Sequence, residues 1–316
     1  FLSPDTRFRQ FTDNLFENEL SANTLNLHYT LAHPEKYGIK ETEISLGDMS
    51  PESFEKGKEE LLKLQKKLNS FESKDLSKEN QIIYDILRLS FATQLSVADD
   101  YLLEEPLGAN LGVQAQLPVL LAEYTFRSPD DIKDYFSLLA SIPKYFKSIV
   151  KFEKEKSQNG LFMSDTTADR IIQQCHTFTD SSEENYLHTM FQERVQSVFP
   201  SYSLLAQELD YLKGTGKNEN GLSHLPRGKA YYAYLIKNDV GDYRSIDEIE
   251  NELYRQLSQY YKDIQKLSQE NPALLQNLNT ETAIETVEPE KILAFLQDTI
   301  TKDFPTLTVK DYEVKY

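Results

Sequence analysis

Five histidines, His28, His33, His176, His188 and His224, are the side chains here best suited to holding a metal. Zinc hydrolases place two histidines four residues apart on one helix face, with a glutamate beside the first to activate bound water. No His-Glu-x-x-His occurs in this sequence. His28 and His33 are five apart, a spacing that does not share a helix face. Glu184 and His188 are four apart but have no second histidine, and read as an ordinary helix-surface pair. The one cysteine, Cys175, excludes an internal disulfide and a cysteine-based zinc site. Its setting, Ile171-Ile172-Gln173-Gln174-Cys175, reads as a buried structural thiol. No catalytic or metal-ligating residue is therefore assigned, and no cofactor is expected within this chain.

Other chemistries fare no better. A Gly-x-Ser-x-Gly elbow is absent, and so is a phosphate loop ending in Gly-Lys-Ser/Thr. Acid pairs such as Asp99-Asp100, Glu104-Glu105 and Glu183-Glu184 read as solvated faces in so acidic a chain. Lys+Arg 34 against Asp+Glu 51 gives a net charge of -17, which repels a phosphate backbone and argues against nucleic acid. No run approaches the roughly 20 apolar residues of a membrane span. The sequence begins at Phe1 rather than Met, consistent with a leader already removed. Cysteine poverty suits the cytosol and a bacterial exterior equally.

The elements that would position any site read as helices. Only 11 glycines occur among 316 residues, and they fall mostly between periodic segments. Ser50-Pro51-Glu52 and Ser128-Pro129-Asp130-Asp131 place a cap, a proline at the first helical position and acids in the first turn. Ser245 and Glu248 form a capping box, and Glu288-Pro289-Glu290 opens a further helix. After Ser245 the apolar residues Ile246, Ile249, Leu253, Leu257, Tyr260, Ile264 and Leu267 keep helical spacing. A helix from Pro129 to Gln158 should be kinked or split by Pro143. Further helices are expected over Arg7–Leu20, Ser77–Leu102, Ser164–Phe178, Ser182–Val198 and Pro200–Leu212. The sequence thus divides into a helical part over 1–213, a glycine-rich loop over 214–228 and a helical segment over 229–316. The loop is the candidate for a mobile segment or junction, and the three parts are also compatible with one continuous domain. Alternation at Leu307, Val309, Tyr312, Val314 and Tyr316 predicts a short β strand or hairpin at the C-terminal end, needing a partner edge.

Several phrases go beyond generic helix. His28-Tyr29, Pro34-Glu35-Lys36-Tyr37-Gly38-Ile39 and Leu46-Gly47 come first. Pro106-Leu107 and the run from Gly112 to Phe126 follow, then Asp131-Ile132-Lys133-Asp134-Tyr135, Gly160-Leu161 and Gly228-Lys229-Ala230-Tyr231-Tyr232. In order and spacing they resemble the bacterial domain-of-unknown-function 885 family, from about Phe8 to Tyr316. The resemblance implies a mainly α, multi-helix scaffold like that of thimet oligopeptidase. It also implies a gluzincin-type zinc peptidase, often a lipoprotein, whose His-Glu-x-x-His lies downstream of the Gly-Lys-Ala-Tyr-Tyr phrase. This chain would then be the amino-terminal part, inactive alone, with zinc in the full-length protein and the remaining C-terminal half as its partner. Export, lipid anchoring or secretion would follow from the same resemblance, with a cytoplasmic location as the alternative.

Within such a protein, Gly228, Tyr231, Tyr232, Gln116 and Glu123 are the candidate substrate-binding residues for a peptide. A tyrosine hydroxyl could hydrogen-bond a peptide backbone or a developing oxyanion. The same tyrosines could equally be packing residues, and tight packing beside Pro118 accounts for Gln114, Gln116 and Glu123 as well. The rival to a peptide-cleft wall is a non-catalytic helical binding module or surface lipoprotein.

Overall fold

The structure, a computed structural model, describes residues 2–39, 42–180, 191, 197–217, 220–273, 288–300 and 304–305. Among the described residues there are eleven α-helices and no strand. The chain divides into two units, Phe1–Arg244 and Ser245–Tyr316.

In the first unit, α1 spans Pro4–Ser21, α2 Thr24–Thr30, α3 Pro51–Leu68, α4 Lys78–Leu95 and α5 Val113–Ala122. There follow α6 over Pro129–Gln158, α7 over Asp165–Thr179, α8 over Val198–Leu212 and α9 over Gly228–Leu235, which runs into a π-helical turn at Ile236–Val240. The second unit contains α10, Ile246–Glu270, and α11, Ile292–Ile300. The starts follow the caps. Ser128 and Asp131 form a reciprocal capping box at α6, and Ser245 and Glu248 do the same at α10.

The largest core lies among α6, α7 and α8, where Leu138, Ile142, Phe146, Ile171 and Leu205 are wholly buried. Cys175 belongs to it, as its apolar setting predicts, and burial pushes its thiol up to about 12. A second cluster joins α1, α3 and α4 through aromatic rings, with Phe8 edge-on to Phe71 at 5.3 Å. Tyr231 of α9 packs with Val97 and Leu103 in a third.

Pro143 neither splits α6 nor ends it: the helix is continuous across it. An interior proline costs about 3 kcal/mol. Leu138, Leu139, Ile142 and Phe146, at most 1% exposed, surround it, and each buried side chain of that size contributes roughly 1.5–3 kcal/mol. Packing therefore outweighs the missing bond. The segment expected as one helix over Ser77–Leu102 stops at Leu95 and continues as a 3-10 turn at Tyr101–Leu103. The Ser96 carbonyl accepts from Arg227, and Asp100 turns back to pair with the same guanidinium at 3.1 Å. The described part of the glycine-rich stretch is pinned: Lys217 N donates to Gly160 O at 3.1 Å, and Gly214 N to Asp165 Oδ1 at 2.8 Å. Most of the expected Ser182–Val198 helix and the whole of the 306–316 strand lie outside the described residues.

Pro118 sits inside α5 and cannot donate to the Gln114 carbonyl. The buried Tyr202 hydroxyl of α8 does so instead, at 3.0 Å. Removing that donor with Tyr202→Phe should cost about 1–3 kcal/mol, because a buried carbonyl is left unpaired. Urea unfolding followed by far-ultraviolet circular dichroism measures it; no loss would mean that another donor serves that carbonyl.

Candidate functional site

A cavity of about 540 Å³ opens between α2, α5 and α6. Its floor is apolar, from Leu25, Leu46, Val113, Leu117 and Leu120, and its polar wall holds Asn26, Tyr29, Gln116 and Tyr145. Local rules fix the elements that carry these groups. Asn23 caps α2, accepting from Asn26 N at 3.0 Å, while its amide donates to Leu46 O at 2.9 Å. Thr24 and Ser45 exchange two more hydrogen bonds, at 2.8 and 2.9 Å, so the approach to α3 is laced to the start of α2.

The far end of α2 is fastened to the end of α5. Tyr29 donates from its hydroxyl to Leu120 O at 2.5 Å. The His28 ring stacks on Tyr124 with centroids 3.7 Å apart and planes 10° from parallel. Thr125 N donates to His28 Nε2 at 3.3 Å, and the Arg127 guanidinium donates to His28 O at 3.2 Å and lies 3.4 Å from Nδ1. Both ring nitrogens thus face donors, which disfavours a second proton on the ring. Burial is the first cause holding His28 below its usual 6.5 and the Arg127 charge the second, with Asp131 opposing. The Tyr29 phenol is raised, by burial first and then by Glu123.

Gln114 and Gln116 face opposite ways from α5. Gln114 is buried and donates from Nε2 to Gly108 O at 2.6 Å and to Gln174 Oε1 at 2.8 Å, stapling the 106–112 loop to α7. That loop closes tightly: a Cβ on Gly112 would lie 2.1 Å from Gly108 N. Gln116 is exposed at the cavity, and its carboxamide has no hydrogen-bond partner among the described residues.

The five sequence-predicted site residues fall in two places. Gln116 lines this cavity, and Glu123 is exposed at the end of α5 close enough to act on Tyr29. Gly228, Tyr231 and Tyr232 lie on α9. Gly228 is dictated by space, since a Cβ there would lie 1.7 Å from Leu222 O; Arg227 before it has φ +62°. Tyr231 is buried and lines a second cavity, whereas Tyr232 is exposed. Asn26, Tyr29 and Tyr145 were not among the candidates. For Tyr29 the signal was present, in the His28-Tyr29 phrase.

Three of the phrases that resemble a family meet at this cavity, through Tyr29, Leu46 and the stretch from Val113 to Leu120. The sequence profile described as "Bacterial protein of unknown function (DUF885)" matches residues 34–311. This chain belongs to the DUF885 family. No curated protein matches it. Among solved structures, the DUF885 chain is similar to "the putative lipoprotein from Colwellia psychrerythraea", with a TM-score of 0.71 and 16% identity. The match covers 96% of this chain and 59% of that one. At that identity the likeness is one of fold. The DUF885 chain spans about three-fifths of the length of the Colwellia protein.

His28 gives the site a pH dependence of stability. In the unfolded chain its imidazole takes up a proton below about 6.5, whereas the folded ring resists it. Its contribution is therefore complete above the unfolded pKa and is lost as pH falls from 6.5 towards the lowered folded value. Urea midpoints from about pH 8 to about pH 5 should fall more steeply for the natural protein than for His28→Gln. Equal slopes would count against this role.

Proposed function

We propose that this DUF885 chain forms a peptide-binding wall of a zinc peptidase whose metal site lies in sequence outside these 316 residues. The observation that carries the binding half is the free Gln116 carboxamide above an apolar floor. A carboxamide offers one acceptor and two donors, the complement of a peptide unit's carbonyl and N–H. Asn26 lies on the same wall, so an extended peptide can be met at its main chain while an apolar side chain enters the floor. Such recognition reads backbone rather than sequence, as a peptidase of broad specificity requires.

The zinc half of the reading rests on the resemblance to gluzincin-type peptidases with a thimet-oligopeptidase-like scaffold. The longer Colwellia structure supports it by supplying length in which a metal site could reside. In that arrangement two histidines and a glutamate hold the metal, and the motif glutamate activates its water. A second reading, a non-catalytic surface lipoprotein, draws on the description of the Colwellia protein. Both readings share an extracytoplasmic location. No described helix is long and apolar enough to cross a membrane.

The test is cleavage of a mixed peptide library by the full-length protein, with and without a zinc chelator. Chelator-sensitive cleavage is expected, and Gln116→Ala should lower kcat/KM by up to about tenfold, the worth of one neutral hydrogen bond. Peptide binding without any cleavage would favour the lipoprotein reading, and cleavage indifferent to chelation would refute the zinc half.

A further inference from the structure

The second cavity, of about 450 Å³, lies within the first unit between α1, α3, α4 and α9. Two pairs of aromatic rings contribute to its wall. Phe54 stacks on Tyr101 with centroids 5.2 Å apart, and Tyr231 lies 5.4 Å from Tyr234. The charged groups between them are almost all of one sign: Glu19, Asp48, Glu60 and Glu104. The lysine in the same wall, Lys58, is already ion-paired with Asp99.

Glu104 is the carboxylate to which these features point. It is open to solvent on one side yet surrounded by protein, and that burial raises its carboxyl above the usual range, with Lys156 pulling it down. Lys156 cannot serve it fully. Its ammonium is 2.7 Å from Glu105 Oε1 and donates to the main-chain oxygen of Glu104, also at 2.7 Å. The Glu104 side chain has no hydrogen-bond or ion-pair partner among the described residues, and its charge acts on both Tyr231 and Tyr234.

We propose that this cavity binds an alkylammonium or guanidinium group carried on an apolar stem. The ring faces attract a cation through their quadrupoles, and Glu104 supplies a charge-assisted hydrogen bond. The apolar part of the wall, from Leu61, Leu64, Phe91 and Val97, takes the methylenes behind the charge. A metal ion is a poorer fit than an organic cation. Among the described residues no group of three His, Cys, Asp or Glu side chains could hold one. An anion would meet a wall of four carboxylates whose one lysine is already paired. The inference does not depend on the peptide reading, because it concerns a different cavity and a different ligand group.

A basic peptide side chain and a free amine present the same chemistry, so the experiment carries both. Nα-acetyl-lysine methylamide and cadaverine are titrated into the natural chain, followed by calorimetry and by shifts of tyrosine ring signals in NMR. The Nε-acetylated lysine amide, equal in stem but uncharged, is the control. At least one of the two amines is expected to bind, at least about tenfold more tightly than the acetylated control. Binding by the lysine amide alone assigns a peptide side chain, and binding by cadaverine alone assigns a small amine. Glu104→Gln should weaken the amine about tenfold. Equal binding of charged and acetylated probes, or no binding of either amine, overturns the proposal. If Glu104→Gln proves unfolded by circular dichroism, the probe comparison on the natural chain decides alone.

Discussion

Lys156 has no solvent exposure, so its ammonium has to be satisfied by the protein around it. The groups that do this, the Glu104 carbonyl and the Glu105 carboxylate, belong to the turn after α4. Leaving such a charge unpaired costs about 3–5 kcal/mol, enough to dictate where that turn lies. Tyr101 strengthens the attachment by donating to Glu155 on α6 at 3.0 Å. One helical turn before Lys156, Glu153 is wholly buried and neither of its carboxylate oxygens has a hydrogen-bond partner among the described residues. Burial pushes it up to about 8, against the pull of Lys156. A single ammonium thus neutralises Glu105, which keeps partial contact with water, and holds Glu104 by its main chain. The Glu104 carboxylate is left turned to the cavity. The electrostatics of that cavity follow from a packing requirement at the inner end of α6.

A comparable compensation shapes the other cavity. Pro118 makes α5 incomplete, and the Tyr202 hydroxyl replaces the absent donor from outside the helix. That bond holds α5 against α8, with Gln114 turned inward to staple the 106–112 loop and Gln116 turned outward. His28 and Tyr29 then fasten α2 to the last turn of α5 through contacts 91 and 97 residues apart in sequence. Cavity shape is therefore set by a few polar contacts at helix ends, where main-chain carbonyls lack helical partners.

What was legible in the sequence was what local chemistry decides. The capping box at Ser245 and the proline-led starts at Pro51 and Pro129 are formed by residues within four positions of one another. That α6 is not split at Pro143 depends on the burial of neighbouring turns, which no local rule contains. No helix was anticipated at α5, since it is apolar around most of its circumference and carries a proline, so it lacks an amphipathic stripe. The site was half legible. The phrases containing Tyr29, Gln116 and Tyr231 stood out, but their division between two cavities depends on long-range packing. Asn26 and Tyr145, in ordinary helical surroundings, gave no signal at all.

The two cavities ask different things of a ligand. The first offers carboxamides above an apolar floor and no charged side chain in its lining. The second offers rings and an unpaired carboxylate, and discriminates by charge. A net charge of -17 would draw cations toward the whole surface, but at physiological ionic strength such a field fades within about 8 Å. Overall acidity therefore raises encounter rates without choosing a site. Selection has to come from a carboxylate in a partly desolvated setting, where screening is weak and the counter-charge is missing. Glu104 has a carboxyl raised by desolvation and no direct ion-pair partner among the described residues, whereas Glu60 lies 3.8 Å from Lys56 in a solvent-exposed pair. The composition of this chain makes it acidic; the commitment of Lys156 to Glu105 is what makes one of its acids available.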